Sequence, residues 1–551
     1  MMMDDSKQNI EDVSSGVSND PFSAFESVNR REPEKKNGKK VHKRTRNLII
    51  TSVVAVLLAA ILLILTLIPH NDHNNHSGSD ASTPIVDTGI VLLDKSSKDT
   101  VTVKQVDIHN KDDQYSLIYN SEAKRMVIKG YEDITVDEEL SNTIIAYTSV
   151  ITALDKVENH GDAKEYGLEK SAAIATVTYV DNSTVTITVG NQTPNKDGYY
   201  VRISGDDNIY IIESDCVYLF LVRVAAFADT TLMTAPAVKK DDASGVAVLK
   251  SIKYSGKNHP VPFSIRRSYY TDSEELTLFS YIIDKPYARG TSDTVSNILG
   301  SFKSLSASQA LYLHPTAQQK KQLGFQDPIT VMEMVMAVET AESSDSSNTL
   351  DKQAEKKIYY NSSTTKLTIG SIDDNGNYVV MMDGIDAIYL VSKEVLFDLA
   401  DRTYTNSVNT LLFLKNINQV GKISITVNGQ RHDFLLSHYP EKEDRDENMV
   451  VTKDNKRYPT DDFRELYQQL MGLERYGVAD QSYEKTATLK IDIYTTDGAH
   501  YLGASYYPIS GILCAVETTE GETFTTRWKN VTHFVEQFEN YLNGDPVLVL
   551  T

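Results

Sequence analysis

Two stretches decide how this chain is built: "DGYYVRISGDDNIYIIES" at residues 197–214 and "NGNYVVMMDGIDAIYLVSK" at residues 375–393. In both, apolar and polar residues alternate with the period of two that marks a half-buried strand. In both, the alternation breaks at a Gly- and Asp-containing turn, "SGDDN" in one and "MDGID" in the other. Gly and Asp suit such turns because they tolerate positive φ. Extending the comparison aligns Gly190, Gly198, Gly205 and Tyr210 with Gly370, Gly376, Gly384 and Tyr389. An upstream hairpin, "ATVTYVDNSTVTITVGNQ" at 175–192, and a short apolar helix at 215–228 complete the first copy, and residues 357–400 form the second. A looser third copy runs over 487–542, with Gly503, Gly511, Gly521 and Phe524 in the corresponding places.

Upstream of each meander lies an amphipathic helix pattern, at 141–168, 292–325 and 460–478. These end at Tyr166-Gly167-Leu168, Leu323-Gly324-Phe325 and Tyr476-Gly477-Val478. Ser or Asp stands near the cap position of the first two helices, and Thr460-Asp461-Asp462 opens the third. Each helix is preceded by a pair of short strands, the last pair joined at Asn428-Gly429, a strong hairpin signal. The expected fold is therefore α+β, with a unit of strand pair, helix, antiparallel β meander and short helix written three times, over 100–240, 241–408 and 409–551. The offsets are unequal, 180 residues from Gly190 to Gly370 but 133 from Gly370 to Gly503. That favours three divergent domains in a row over a strict stacked array. The polar segments 339–356 and 440–448 read as surface loops.

The first hundred residues set the location. Residues 48–68, "LIITSVVAVLLAAILLILTLI", are 21 residues without a charge, which matches the length of a membrane-spanning helix. Residues 30–46 hold nine Lys or Arg, and after the apolar run no Lys or Arg appears before Lys95. The bias keeps the basic side in the cytoplasm. The expectation is a single-pass cell-membrane protein with a cytoplasmic tail (1–47), a transmembrane helix (48–68), a spacer (69–99) and extracytoplasmic domains. A cleaved signal peptide fits poorly, because the apolar run is too long and no small-residue cleavage site follows it.

Composition excludes some chemistries. A net charge of −21 disfavours nucleic-acid binding, which needs clustered Lys and Arg. Two cysteines, Cys216 and Cys514, are too few and too far apart for a disulfide framework. No metalloprotease, P-loop, dinucleotide or nucleophile-elbow motif occurs. Ser482 and Lys485 form an S-x-x-K in a polar linker, without the companion S-D-N. Asp206-Asp207 and Asp373-Asp374 are acidic turns without the ligand run of a calcium loop. His70, His73 and His76 sit three apart in the spacer; a polar linker and a Zn or Cu site are both open readings. The 31 Tyr read first as sheet packing, with sugar or peptide stacking as the alternative. No catalytic, cofactor-binding or metal residue is assigned, and the chain is expected not to be an enzyme. A cluster uniting His259, His314 or His438 with a carboxylate and a hydroxyl or thiol would reverse that expectation.

Tyr166-Gly167-Leu168, the strand end Thr188-Val189-Gly190, Gly198-Tyr199-Tyr200-Val201 and Ile209-Tyr210-Ile211 resemble a bacterial family known as domain of unknown function 4340. The resemblance covers about residues 100–400 and fades in the third unit. It implies one N-terminal span and an extracytoplasmic α+β region. It further implies an accessory role beside ABC-type exporters of the gliding-motility or auxiliary-transport kind. The expected function is thus a non-enzymatic partner of an ABC-type transport complex. The alternative is an envelope module that recognises wall polymer or peptide through Tyr-rich sheet faces.

Overall fold

The strand Ala173–Tyr179 alternates buried and solvent-facing side chains along its length, the signature of a sheet covered on one face. The computed structural model describes residues 89–341, 357–444 and 447–548. In the first sheet, Val103–Asn110, Gln114–Asn120 and Arg125–Ile128 make an antiparallel meander. The helix Glu138–Ser149 follows, and a second meander of Ala173–Tyr179, Thr184–Gln192, Gly198–Ile203 and Tyr210–Glu213 returns to pair with the first. The junction is antiparallel between the leading strands of the two meanders, with Val106 opposite Val177. The helix Ser214–Leu221 closes the segment.

The same order recurs twice. Val246–Ser255 pairs with Thr330–Ala341 at the centre of the second sheet, and Val420–Val427 with Leu489–Thr495 at the centre of the third. Around each pair the two meanders run outward in chain order and differ only in their edge strands, with helices Asp293–Ser301 and Thr460–Met471 between the meanders and Lys393–Ala400 and Trp528–Asn543 after them. The α+β reading holds. The leading "strand pair" is corrected to three strands in the first sheet and four in the second and third, because residues 125–128, 281–285 and 449–453 extend the hairpins and Arg289–Gly290 and Lys456–Tyr458 add short edge strands.

The expected helices are also shorter than their patterns. The first stops at Ser149, where Val150, Ile151 and Thr152 turn to extended backbone, as β-branched side chains favour. The second stops at Ser301, and Gln309–Leu313 pairs with Ala387–Val391 at the sheet edge before a capping box at Thr316 starts another short helix. The first helix is capped by Asp137, whose carboxylate accepts from the Leu140 N–H at 2.9 Å, and the second by Ser292. Residues 339–341 belong to a strand rather than to the polar loop, which lies outside the described residues from 342 to 356.

Glycines explain why Gly190 and Gly370 align. A Cβ on Gly190 would fall inside contact distance of the Tyr166 carbonyl oxygen, and one on Gly370 would meet the Leu323 carbonyl in the same way. The aromatic–Gly turn therefore packs its backbone against the strand end, and only hydrogen fits between them. The third copy departs from the alignment. Gly477 pairs with Thr525 on the last strand, and Gly503 instead faces the Asp492 side chain. Asn428 and Gly429 both take positive φ, as a two-residue type I′ hairpin demands.

Buried apolar side chains from Val103 to Val408 form one cluster spanning the first two sheets, and those from Leu412 to Val547 form a second. Tyr179, Tyr254, Tyr281, Tyr378, Tyr389, Tyr506 and Tyr541 are among the largest fully buried side chains, each contributing on the order of 2 kcal/mol through apolar burial. Ahead of the first sheet, Ile90–Asp94 forms a two-stranded ribbon with Val150–Ala153. Among the described residues no helix is long and apolar enough to cross a membrane. The segment 48–68, the tail before it and most of the spacer, including His70, His73 and His76, lie outside those residues.

Candidate functional site

A buried cluster of charges lies where the second and third sheets meet. Arg289 sits on the edge strand Arg289–Gly290 of the second sheet, and Tyr404 opens a one-turn helix capped by Thr403. Facing them, Glu520 and Glu522 occupy the turn between Leu513–Thr518 and Thr523–Arg527, and Arg475 follows the helix Thr460–Met471. Glu522 is 2% exposed and both its oxygens are committed. Oε1 accepts from Tyr404 Oη at 2.6 Å and Arg475 Nε at 3.1 Å. Oε2 accepts from Arg475 Nη2 at 3.0 Å and from Arg289 Nε at 3.1 Å. Arg289 also reaches Glu520. Two guanidinium groups thus face two carboxylates, Glu522 buried and Glu520 exposed.

Burial alone would raise the Glu522 pKa. The flanking Arg475 and Arg289 outweigh it and hold the carboxyl below its ordinary value. Burial and the neighbouring Glu522 charge push the Tyr404 phenol well up, so it stays a donor. Beside this hub, buried Glu275 pairs with Lys415 at 2.5 Å, and Tyr467 Oη donates to the Lys415 carbonyl at 2.5 Å. The Gln419 amide reaches Glu274 across the same boundary. Two cavities open here. One of about 440 Å³ has Glu275, Lys415, Tyr467 and Met471 in its walls, and one of about 190 Å³ shares Glu275 and Leu414 with it and reaches Arg289. The arrangement suits docking of one folded part on another. Both oxygens of Glu522 are already occupied.

The residues weighed from sequence are not brought together. His259 is buried between Tyr254 and Phe263, its pKa lowered by burial. His314 bonds Asp133 at 2.8 Å and lies on the Tyr131 ring. His438 bonds the Val420 carbonyl at 2.7 Å. Ser482 is exposed, while Lys485 is taken by Glu517. Asp206 accepts from the Asn208 N–H and the Tyr210 hydroxyl, and Asp373 from the Asn375 and Asn377 N–H groups, so both carboxylates brace their own turns. Cys514 is buried with its thiol pushed up to about 12 by burial, and Cys216 is half-buried. Among the described residues no group of three or more His, Cys, Asp or Glu is placed to hold a metal ion.

Sequence reasoning passed over Arg289, Arg475, Glu520 and Glu522 entirely. "TTEGETFTT" reads as a solvated turn, and Arg289 and Glu522 stand 233 positions apart. No local pattern couples them.

Residues 127–328 match the family model of DUF4340, a domain of unknown function. The DUF4340 match starts in the strand Arg125–Ile128 and stops just short of Thr330–Ala341. It therefore takes in the second meander of the first sheet and the first meander of the second, one full period of the repeat. Both aromatic–Gly turns, at Gly167 and Gly324, fall within the DUF4340 segment, as does Arg289. Glu522 and Arg475 lie beyond it. No curated protein and no solved structure matches the chain.

Proposed function

We propose that this chain is a non-enzymatic accessory protein anchored in the cell membrane by residues 48–68, with residues 1–47 in the cytoplasm and three α+β units, 100–240, 241–408 and 409–551, outside. Its working role is to hold a partner, and the partner is an ABC-type transport complex. The observation that carries this reading is the pairing of an uncharged 21-residue run, basic on one flank only, with a modular sheet array that begins soon after it. A protein so tethered presents repeated surfaces at the membrane face, where a transporter stands. The histidines and the S-x-x-K pair, each engaged or exposed separately, also fit a binding role. The link to ABC-type complexes rests on the family resemblance.

The test has two parts. Protease added to intact cells is expected to degrade everything beyond residue 90 and spare a tag on the N-terminal tail; a protected C-terminal part overturns the topology. The tagged chain, purified in mild detergent, is then expected to carry the permease and ATP-binding subunits of one transporter in near-stoichiometric amounts. Retention on isolated wall sacculi with no transporter subunit would favour recognition of wall polymer or peptide instead.

A further inference from the structure

Among the described residues, the two apolar cores share no member, and the chain passes from one to the other within three residues, Asn409 to Leu411. The link is held from both ends. Asn409 N–H donates to the Gly290 carbonyl at 2.8 Å, and Val408 bridges Thr291, so the link up to Asn409 belongs to the second sheet. Arg475 takes the next three carbonyls: its side chain donates to Asn409 at 3.1 Å and Leu411 at 2.8 Å, and its backbone N–H to Thr410 at 2.7 Å. Those bonds tie the link to the third sheet. The hand-over falls at the Asn409–Thr410 peptide, and Thr410 is exposed.

Polar contacts cross the boundary elsewhere, beside apolar cavity walls such as Leu276 and Leu414. Arg289 and Tyr404 meet Glu522, Lys415 meets Glu275, and Gln419 meets Glu274. Polar interfaces between parts of one chain resemble transient ones and allow relative motion. A buried carboxylate is usually costly to uncover on one side only, because the charge left behind loses its partner. At Glu522 that cost is reduced. Arg475 belongs to the same part as Glu522, so their two bonds persist when Arg289 and Tyr404 withdraw. Glu520 is already exposed, and Arg289 reaches water on separation. The two cavities already leave room along the seam.

We infer that the third α+β part is a hinged arm: it pivots at Asn409–Thr410, and Glu522 is its latch, closed on Arg289 and Tyr404 and released with Arg475 still bound. Opening exposes Glu275 and Lys415, which the closed form holds against each other. The inference does not depend on which partner the chain serves.

The test is a distance measurement on the full-length chain in detergent. Spin labels are placed through Asp374→Cys and Glu536→Cys, both exposed positions on opposite sides of the seam, in a Cys216→Ser background; buried Cys514 is out of the label's reach. The parent is expected to give one dominant short distance. Arg289→Met removes a charge-assisted contact, so the ratio of the longer to the shorter distance is expected to rise about tenfold or more. Tyr404→Phe, a milder change, is expected to give a smaller rise in the same longer distance. Fluorescence of Trp528, the sole tryptophan, reports whether the third part stays folded, and it is expected to be unchanged. The inference is overturned if both variants keep the parent's distances. It is equally overturned if the longer distance appears only together with a loss of the native Trp528 signal, because the contact would then be holding the fold rather than a latch.

Discussion

Replacing Gly190 by Ala places a methyl group against the Tyr166 carbonyl oxygen. That oxygen cannot retreat freely: it accepts the Asn191 N–H at 2.8 Å, and Gly167, at φ +76, lies against the Asn191 side chain. Forcing the turn outward costs about 1–3 kcal/mol in strain, and stretching the Asn191 bond adds about 1 kcal/mol. A total near 3 kcal/mol corresponds to a fall of about 6 °C in melting temperature for a core of this size. Gly370→Ala is expected to cost the same, since its methyl would meet the Leu323 carbonyl. Gly503→Ala is expected to cost less than half as much, because it meets the ends of the Asp492 and Thr519 side chains, which can rotate away. Gly205→Ala has open space and only its φ of +84 to resist it, about 1 kcal/mol. Gly300→Ala, helical with nothing within 4 Å, is expected to stabilise slightly. Calorimetry on the five purified variants gives the ranking. A Gly190→Ala chain melting within 2 °C of the parent, or as high as Gly300→Ala, would refute the claim that backbone contact fixes this glycine.

Two further outcomes can be measured directly. Tyr179, Tyr281, Tyr378 and Tyr389 are each pushed up to about 12, first by burial. A raised phenol contributes stability that is complete below its ordinary value of 10 and is lost as pH climbs through 12; urea midpoints at pH 9 and 11.5 should therefore drop sharply, and equal midpoints would contradict the burial. A maleimide is expected to modify half-buried Cys216 slowly and Cys514 only in denaturant, since the Cys514 thiol is both enclosed and held protonated.

The repeat was legible because its signals are local. Positive φ at Gly205 and Gly384, the type I′ turn at Asn428-Gly429 and the period of two are each confined to a few neighbouring residues. The aromatic–Gly turns were legible as a pattern, but their meaning was not, because it lies in a carbonyl about twenty-four or forty-seven residues from the glycine it excludes from change. Helix lengths failed where β-branched runs such as Val150-Ile151-Thr152 carry an apolar face that serves a strand equally well. The third copy misled through composition: Gly503 aligns with Gly190 in spacing, yet Asp492 stands where the turn should be. The hub at Glu522 was out of reach altogether. Its members come from four separate places in the chain, and each alone resembles an ordinary surface charge.

The ribbon of Ile90–Asp94 on Val150–Ala153 has a mechanical meaning. Tension on the chain at Gly89 arrives first at this two-stranded ribbon, before it reaches the eight strands beyond. Pulled from its Ile90 end, the ribbon opens one hydrogen bond after another, a sequence that needs far less force than sliding a whole strand at once. A pull at that end would strip the ribbon before the eight-stranded sheet beyond it, as a fuse gives way ahead of what it protects.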